Sequence, residues 1–332
     1  MNILAHLHQA FPHQRAGAET MLQTMGESLV KAGHKFTIIF PTSEPIQNME
    51  LNGVKIERYN GQNINSYWEW SDVVLTHLKA TGSAINKHMQ FKKPLCFVAH
   101  NHERYNPVRV KRSMYIIYNS QWLKDLLEFT QPSVICRPLV NAEDFRVKSP
   151  RRKHITLCNV NPNKGGYHLI ELAKRMPEYD FLGVQGYGEQ IIDESLPNLH
   201  YMESQRDIKE VLKKTKILIM PSKVESWGRM AHEAMASRIP VIANPTPGLK
   251  ECIGAGGFLV EPKKWSSPEL GVRKAIEPDL DQYEWLIRKL MTDKEAYQDA
   301  ADAAEKRALK LNPANDLHNL ERFLVNIVEG KI

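Results

Sequence analysis

Two glutamates, Glu225 and Glu233, stand on either side of a helix start predicted at Gly228. The apolar run 217–220 before them predicts a buried strand that ends at Pro221. The first turn of a helix exposes unpaired N–H groups with partial positive charge, which suits it to binding a diphosphate. Carboxylates accept paired hydrogen bonds from vicinal hydroxyls, as sugar and ribose recognition requires. The pattern therefore indicates hydroxyl recognition beside an anion site.

A second feature is a basic stretch, 87–112, with seven Lys or Arg residues and one acid. The net charge of +6 is concentrated in the same half, since residues 1–148 have 17 basic against 12 acidic residues. A local field of this sign favours an anionic partner, such as a phosphate, a nucleic acid or an anionic membrane surface. A solvated basic surface without a partner is the alternative that composition leaves open.

These residues need a framework, and strand-like and helix-like segments alternate along the chain. The alternation predicts α/β layers built on parallel sheets. A polar segment with a proline, 146–153, interrupts it and indicates a linker. We therefore predict two doubly wound Rossmann-like domains, 1–148 and 149–312, followed by a C-terminal helix within 313–332. Such sheets bind ligands outside the carboxyl ends of their strands, so two facing domains predict a cleft.

The composition agrees with this organisation. The 332 residues, 42% hydrophobic and 25% charged, are typical of a globular protein with two domains. No apolar run approaches the roughly 20 residues that cross a bilayer. The N-terminus lacks the basic start and cleavage site of a signal peptide, so a cytoplasmic location is expected. The chain shows no His/Cys cluster with metal-ligand spacing, and no metal is expected.

The context of the two glutamates is E-S-W-G-R-M-x-x-E-A-M-A, followed by P-V-I-A and a Pro/Gly loop. This context resembles the donor site of the retaining glycosyltransferase family 4, whose members have the GT-B fold. Other family motifs follow in the expected order over most of the chain. They are G-A-E-T at 17–20, His100 at a predicted strand end, Y-N-S at 118–120, P-L-V-N at 138–141, N-K-G at 163–165 and G-Y-G at 186–188.

The resemblance implies a role for each matching residue. Glu233 would hold the nucleotide ribose, and Glu225 would contact hydroxyls of the donor sugar. Lys164 would neutralise the diphosphate and assist its departure. His100 would contact the sugar near the reacting carbon, which makes His100, Lys164 and Glu225 the expected catalytic residues. Gly17 would permit close approach to the diphosphate. The backbone at Trp227, Gly228 and Arg229 would cradle the phosphates.

One position departs from the family pattern. Asn159 stands where the family has an arginine that serves as a second diphosphate cation, so a bidentate phosphate donor is missing. Arg229, close to the same helix start, would replace it; a weaker or inactive donor site is the alternative. For the acceptor, the polar loop after His100 offers three contacts, with an ordinary surface loop as the alternative. They are His102, Arg104 and Arg109.

The resemblance implies a retaining glycosyltransferase of the hexosyltransferase type, with a nucleoside-diphosphate sugar as co-substrate and no cofactor. A UDP-sugar is the first expectation for the donor. Lys164 and the helix start would do the electrostatic work of a metal. The basic stretch favours an anionic acceptor, whether phosphorylated, lipid-linked or DNA, and would suit peripheral membrane contact. Two alternatives stay open: transfer to a modified base in DNA, and nucleotide-sugar binding without turnover.

Overall fold

The computed structural model describes residues 1–41, 47–61, 63–102, 114–269 and 271–332. They form two compact units, the first of Met1–Leu139 with Pro313–Ile332 and the second of Val140–Asn312. Within these ranges, no helix combines the length and the apolar character needed to span a bilayer.

The junction predicted as a linker is partly packed. Val147 is buried in a core of the second unit, and its N–H donates to Ser237 Oγ at 3.3 Å. The structure therefore assigns residues 140–148, which the sequence placed in the first domain, to the second unit. An apolar side chain inside a basic segment explains the difference, because its burial outweighs the polar character of its neighbours.

The first unit is built on an eight-stranded sheet. Its strands are β1 Asn2–His6, β2 Lys35–Pro41, β3 Met49–Leu51, β4 Val54–Tyr59, β5 Val73–Thr76, β6 Leu95–Ala99, β7 Met114–Tyr118 and β8 Ser133–Ile135. The order is β3-β4-β2-β1-β5-β6-β7-β8, and every pair is parallel except β3 with β4. Among the described residues, the α-helices that precede the second unit are α1 Gly17–Lys31, α2 Ile64–Trp70, α3 Thr81–Phe91 and α4 Gln121–Leu127.

Strand β1 shows why its sequence is apolar throughout. Ile3 and Ala5 enter one hydrophobic core, whereas Leu4 enters another. Successive side chains of a strand point to opposite faces, so both faces of this sheet are covered. A strand covered on both sides needs apolar residues at consecutive positions, which is the pattern that predicted it.

The second unit has a six-stranded parallel sheet in the order β11-β10-β9-β12-β13-β14 and a two-stranded hairpin, β15-β16. The strands are β9 His154–Cys158, β10 Phe181–Val184, β11 Leu199–Met202, β12 Thr215–Met220, β13 Val241–Ala243, β14 Phe258–Leu259, β15 Lys264–Trp265 and β16 Ala275–Glu277. The helices are α5 Gly166–Arg175, α6 Lys209–Leu212, α7 Arg229–Ala236, α8 Pro247–Ile253, α9 Leu280–Thr292 and α10 Lys294–Lys310.

The last helix, α11 Pro313–Val328, returns to the first unit, as expected. Its buried Leu320 and Leu324 join the core that contains Ile3. Arg137 donates to Asp316 Oδ1 at 3.2 Å and fixes the start of the helix beside the end of β8. The two parallel-sheet units confirm the predicted fold class.

Several short elements were not predicted. One of them is α2, in which Trp68 is fully buried. Strand β14 has two residues and pairs with β13 alone. A hydrophobic period needs more residues than such elements contain, so their formation depends on the partner strand and the core.

Candidate functional site

In the second unit, the loops that follow β9, β10, β12 and β13 leave the same edge of the sheet, because these strands are parallel neighbours. Their main chains are linked directly. Lys223 N donates to Asn163 O at 2.8 Å, and Gly248 N donates to Glu225 O at 3.2 Å. Asn244 Nδ2 donates to Ser222 O at 3.2 Å. These bonds join the loops after β9, β12 and β13 into one polar surface.

Lys164 and Glu225 meet on this surface, as an ion pair between the loops after β9 and β12. Lys164 Nζ donates to Glu225 Oε1, and Ser222 Oγ donates to the same oxygen at 3.0 Å. The lysine side chain is 31% exposed and the carboxylate 12%. Asn161 Oδ1 holds the turn by accepting from Lys164 N at 2.9 Å. The lysine therefore remains accessible while the carboxylate is anchored.

The turn beneath Lys164 requires a glycine. Gly165 has φ +104°, a conformation that other residues rarely adopt, and it precedes the first residue of α5. A Cβ on Gly165 would lie 2.6 Å from Pro221 Cγ. The close approach of these two residues holds the loops after β9 and β12 together, and so brings Lys164 to Glu225.

Gly228 performs the corresponding task at the start of α7. It has φ +98° as the N-cap, and a Cβ there would collide with Leu249 Cδ2. No side chain caps this helix through the N-cap residue. The helix has eight residues, and its first turn lies directly after the loop that carries Glu225. The geometry is that of a helix start that can receive an anion.

Glu233 lies inside this helix and is paired with Arg229. Arg229 Nε donates to Glu233 Oε1 at 2.6 Å, and the two side chains are 15% and 5% exposed. Burial raises the pKa of Glu233, and the nearby Arg229 charge opposes the rise. Burial and the charge of Glu233 raise the pKa of Cys158 to about 12. The sequence assigned Arg229 and Glu233 to different groups of the ligand; the structure also pairs them with each other.

Asn159 directly follows β9, and its side chain contacts the loop after β10. It has φ +63°, which asparagine tolerates better than most residues. Its Oδ1 accepts from Gln190 Nε2 at 3.3 Å, while Gln190 Oε1 accepts from Gly186 N at 2.8 Å. A Cβ on Gly186 would lie 2.6 Å from Asn159 Cγ. Asn159, the position at which the resemblance implies an arginine, thus has structural partners in the loop after β10.

Trp227 is a core residue. Its side chain is 2% exposed, and its ring lies edge-on to His232 with 6.4 Å between the centroids. Only its backbone is available to a ligand. The sequence did not indicate three residues that position the site. Ser222 orients Glu225, Asn161 holds the turn at Lys164, and Gln190 contacts Asn159. Ser222 and Asn161 stand next to motif residues, but nothing in their spacing indicated a role.

In the first unit, Gly17 begins α1, and a Cβ there would meet no atom within 4 Å. His100 follows β6, is 9% exposed, and has its pKa lowered to about 3 by burial. Its ring centroid lies 4.9 Å from that of His77. His102 is half-buried. Arg104 and Arg109 lie outside the described residues.

The described residues contain one group with the composition of a metal site, namely His8, Glu19 and His77 in the first unit. The sequence did not indicate it, because the three side chains come from separate segments. The chain also contains one Asp-x-Asp, Asp279 and Asp281, a motif that holds a divalent metal in many glycosyltransferases. Here Asp279 caps α9 through Gln282 N at 3.2 Å, and Asp281 pairs with Lys263 and Arg175.

Comparison with known protein families finds a match within the second unit. Residues 143–279 match the family model described as "Glycosyl transferases group 1". This part of the chain is similar to that family. The matched residues include Lys164, Glu225, Arg229 and Glu233, and therefore both ion pairs. The curated proteins contain no sequence match to this chain.

Solved structures share the fold over nearly the whole chain at low identity. Sucrose-phosphate synthase from Thermosynechococcus elongatus is 15% identical with a TM-score of 0.72, and covers 99% of this chain and 98% of its own. Anabaena HepE in complex with UDP-glucose is 16% identical with a TM-score of 0.76, covering 98% and 100%. Trehalose-6-phosphate synthase OtsA is 8% identical with a TM-score of 0.69, covering 98% and 99%. These likenesses show that the chain has the GT-B fold.

Proposed function

We propose that this protein is a glycosyltransferase that moves a sugar from a nucleoside-diphosphate donor to an acceptor hydroxyl. The observation that carries the proposal is the meeting of Lys164 and Glu225 beside the start of α7, with Glu233 one turn further along that helix. A cation, a helix start and two carboxylates are what a diphosphate, a sugar and a ribose require. The group 1 domain match over the same residues supports this reading.

The two ion pairs suggest how the donor enters. A diphosphate near the start of α7 would draw Lys164 away from Glu225, which keeps its hydrogen bond from Ser222 Oγ. Glu225 Oε2 is then available to donor sugar hydroxyls. Glu233 would accept from the ribose hydroxyls while Arg229 retains the opposite charge beside it. A carboxylate that is already paired and buried needs little reorganisation to receive these hydroxyls.

Charge development on the leaving phosphate can be met without a metal. Lys164 and the partial positive charge of the α7 start would stabilise the nucleoside diphosphate as it departs. Retention of configuration rests on the resemblance to glycosyltransferase family 4. In that course the acceptor hydroxyl enters on the face of the leaving group, and the departing phosphate takes its proton. His100 of the first unit would contact the sugar.

UDP-glucose is the donor to examine first, because HepE, which shares this fold, was solved in complex with it. The basic stretch 87–112 favours an anionic acceptor. A nucleotide-sugar binding protein without turnover is the second candidate. It is favoured by Asn159, because a neutral side chain with structural partners stands where the family has a phosphate-binding arginine.

The test is a thermal-shift screen of the full chain with UDP-, GDP- and ADP-glucose, followed by measurement of released nucleoside diphosphate. A ligand that binds the folded state alone raises the melting temperature. We expect one donor class to do so, with release that needs no added Mg²⁺ or Mn²⁺ and a product of unchanged anomeric configuration. Glu233→Ala should abolish the shift.

The candidates give different results. A shift with no nucleotide release, for any acceptor tried, would favour the binding protein. Release that rises with DNA carrying hydroxylated bases would favour the DNA acceptor, and that activity should fall steeply with salt. Failure of all three nucleotide sugars to shift the melting temperature would overturn the proposal.

A further inference from the structure

A cluster of three potential metal ligands lies at the carboxyl edge of the sheet in the first unit. Strands β1 and β5 are parallel neighbours with His6 opposite Thr76. His8 and His77 follow these two strands, so both leave the sheet at the same edge. Glu19, the third residue of α1, joins them from the helix that follows β1. The fold thus brings together side chains from positions 8, 19 and 77.

The three coordinating atoms are close enough to share one ion. One ligand atom from each residue lies within 4.8 Å of the other two. His8 Nε2 is 4.0 Å from Glu19 Oε1, and the rings of His8 and His77 are 5.4 Å apart between centroids. Zinc bonds of about 2.0–2.1 Å place tetrahedral ligands about 3.4 Å apart. Small rotations of the three side chains would shorten their present separations to this spacing.

The histidines of this cluster have buried ring nitrogens without hydrogen-bond partners among the described residues. His77 is fully buried, and neither of its ring nitrogens has a hydrogen-bond partner among the described residues. His8 Nδ1 is likewise buried without one there, and Glu19 is 3% exposed. Buried polar atoms in folded proteins are nearly always satisfied. The separation of 4.0 Å between His8 Nε2 and Glu19 Oε1 exceeds hydrogen-bond length, so no hydrogen bond between these two atoms satisfies the pair.

We propose that His8, Glu19 and His77 bind one divalent transition-metal ion of the Zn²⁺ class in the first unit. Two imidazoles and one carboxylate form a donor set that zinc uses with a fourth position left for water or another ligand. Imidazole ligands disfavour the hard cations Mg²⁺ and Ca²⁺. All three ligands belong to the first unit, and the inference does not depend on the proposed transfer reaction.

The experiment is titration of the metal-free chain, residues 1–332, with ZnCl₂ by isothermal calorimetry. We expect one ion per chain, with Mg²⁺ giving no comparable binding. Loss of an outer-sphere partner alone typically weakens a metal site about 10–100-fold. Removal of a direct ligand, in Glu19→Gln and in His8→Gln, should therefore weaken Zn²⁺ binding by more than about 100-fold.

Matched controls separate this site from adventitious binding. His200 lies 3.4 Å from Asp180 and is 47% exposed, so His200→Gln removes a surface imidazole beside a carboxylate and should leave the affinity unchanged. Metal-free melting curves identify variants that fail to fold. If neither Glu19→Gln nor His8→Gln folds, the visible spectrum of the wild-type protein with Co²⁺ still tests the site, because a four-coordinate Co²⁺ site gives intense visible absorption. Equal Zn²⁺ affinity in folded ligand variants, or absent Co²⁺ absorption, would overturn the proposal.

Discussion

Lys164 donates a hydrogen bond from Nζ to Glu225 Oε1 and so joins the loops that follow β9 and β12. The two strands are neighbours in the sheet, and their loops are also linked through Lys223 N and Asn163 O at 2.8 Å. The pair places opposite charges side by side before any ligand binds. A nucleoside diphosphate would exchange one partner of Lys164 for another, so the lysine carries no uncompensated charge in either state.

Replacement of Lys164 should affect turnover more than folding. Its side chain is 31% exposed and Glu225 keeps the hydrogen bond from Ser222 Oγ, so Lys164→Ala should lower the unfolding free energy less than loss of a partner in the more buried Arg229–Glu233 pair. Loss of the charge at the leaving phosphate should lower kcat by about 10²–10³-fold. Lys153 directly precedes β9, the strand whose following loop carries Lys164. It pairs with Asp180 at 2.7 Å, so Lys153→Ala is the matched control. Steady-state release of nucleoside diphosphate measures both. Equal activity in the two variants would remove Lys164 from the mechanism.

Glu225 should separate binding from turnover. In Glu225→Gln the amide keeps the hydrogen bond from Ser222 Oγ but no longer neutralises Lys164. We therefore expect binding of free UDP to be retained or strengthened, and turnover to fall. Calorimetric titration with UDP and nucleotide-release kinetics give the two values. A variant that loses UDP affinity and keeps its turnover would contradict the assignment.

Arg229 should be essential to the stability of the second unit. Removal of one member of a buried ion pair costs about 3–5 kcal/mol, because the partner is left as an isolated buried charge. Glu233 is 5% exposed, so Arg229→Ala should lose stability of this order in urea unfolding at pH 7. The double variant Arg229→Met/Glu233→Gln should recover part of the loss.

The control for this prediction is an exposed helical pair. Lys213 and Glu210 are 45% and 49% exposed, so Lys213→Ala should cost less than about 1 kcal/mol. A loss of the same small size in Arg229→Ala would show that the Arg229–Glu233 pair is solvated in solution.

His232 should make stability depend on pH. Burial, with smaller contributions from the Arg229 and Arg307 charges, lowers its pKa to about 4 from 6.5. The unfolded chain then binds more protons between these values, so the unfolding free energy falls as the pH drops through this window. At pH 5 the loss from this one group is about 2 kcal/mol. In His232→Gln the difference between urea unfolding at pH 7.5 and pH 5 should shrink by this amount; an unchanged difference would refute the shift.

Gly17 should be dispensable for folding and needed for the ligand. A Cβ at this position meets no atom within 4 Å, so Gly17→Ala should fold normally. If the diphosphate approaches this backbone, the added methyl should lower kcat/KM for the donor at least tenfold. Gly82 in α3 is equally open, and Gly82→Ala supplies the control. Melting temperature and donor kinetics distinguish the two. Wild-type kinetics in Gly17→Ala would exclude close approach.

The sequence by itself determined the fold class and the candidate donor residues. Long apolar runs such as those of β1 and β12 predicted parallel strands, because burial on both faces leaves few polar positions. The glycine at 228 and the spacing of Glu225 and Glu233 predicted a helix start between carboxylates, and the structure has that helix. These signals are local, since each depends on residues within a few positions of one another.

Only the tertiary structure decided which side chains meet. It pairs Arg229 with Glu233, and it places Asn159 within hydrogen-bond distance of Gln190. It also brings His8 close to Glu19 and His77. The order of strands in a sheet, and not the order in sequence, determines which loops share an edge. A contact between residues 8 and 77 leaves no period or spacing in the sequence. Likewise, the burial that lowers the pKa of His100 depends on the packing of distant segments around the end of β6.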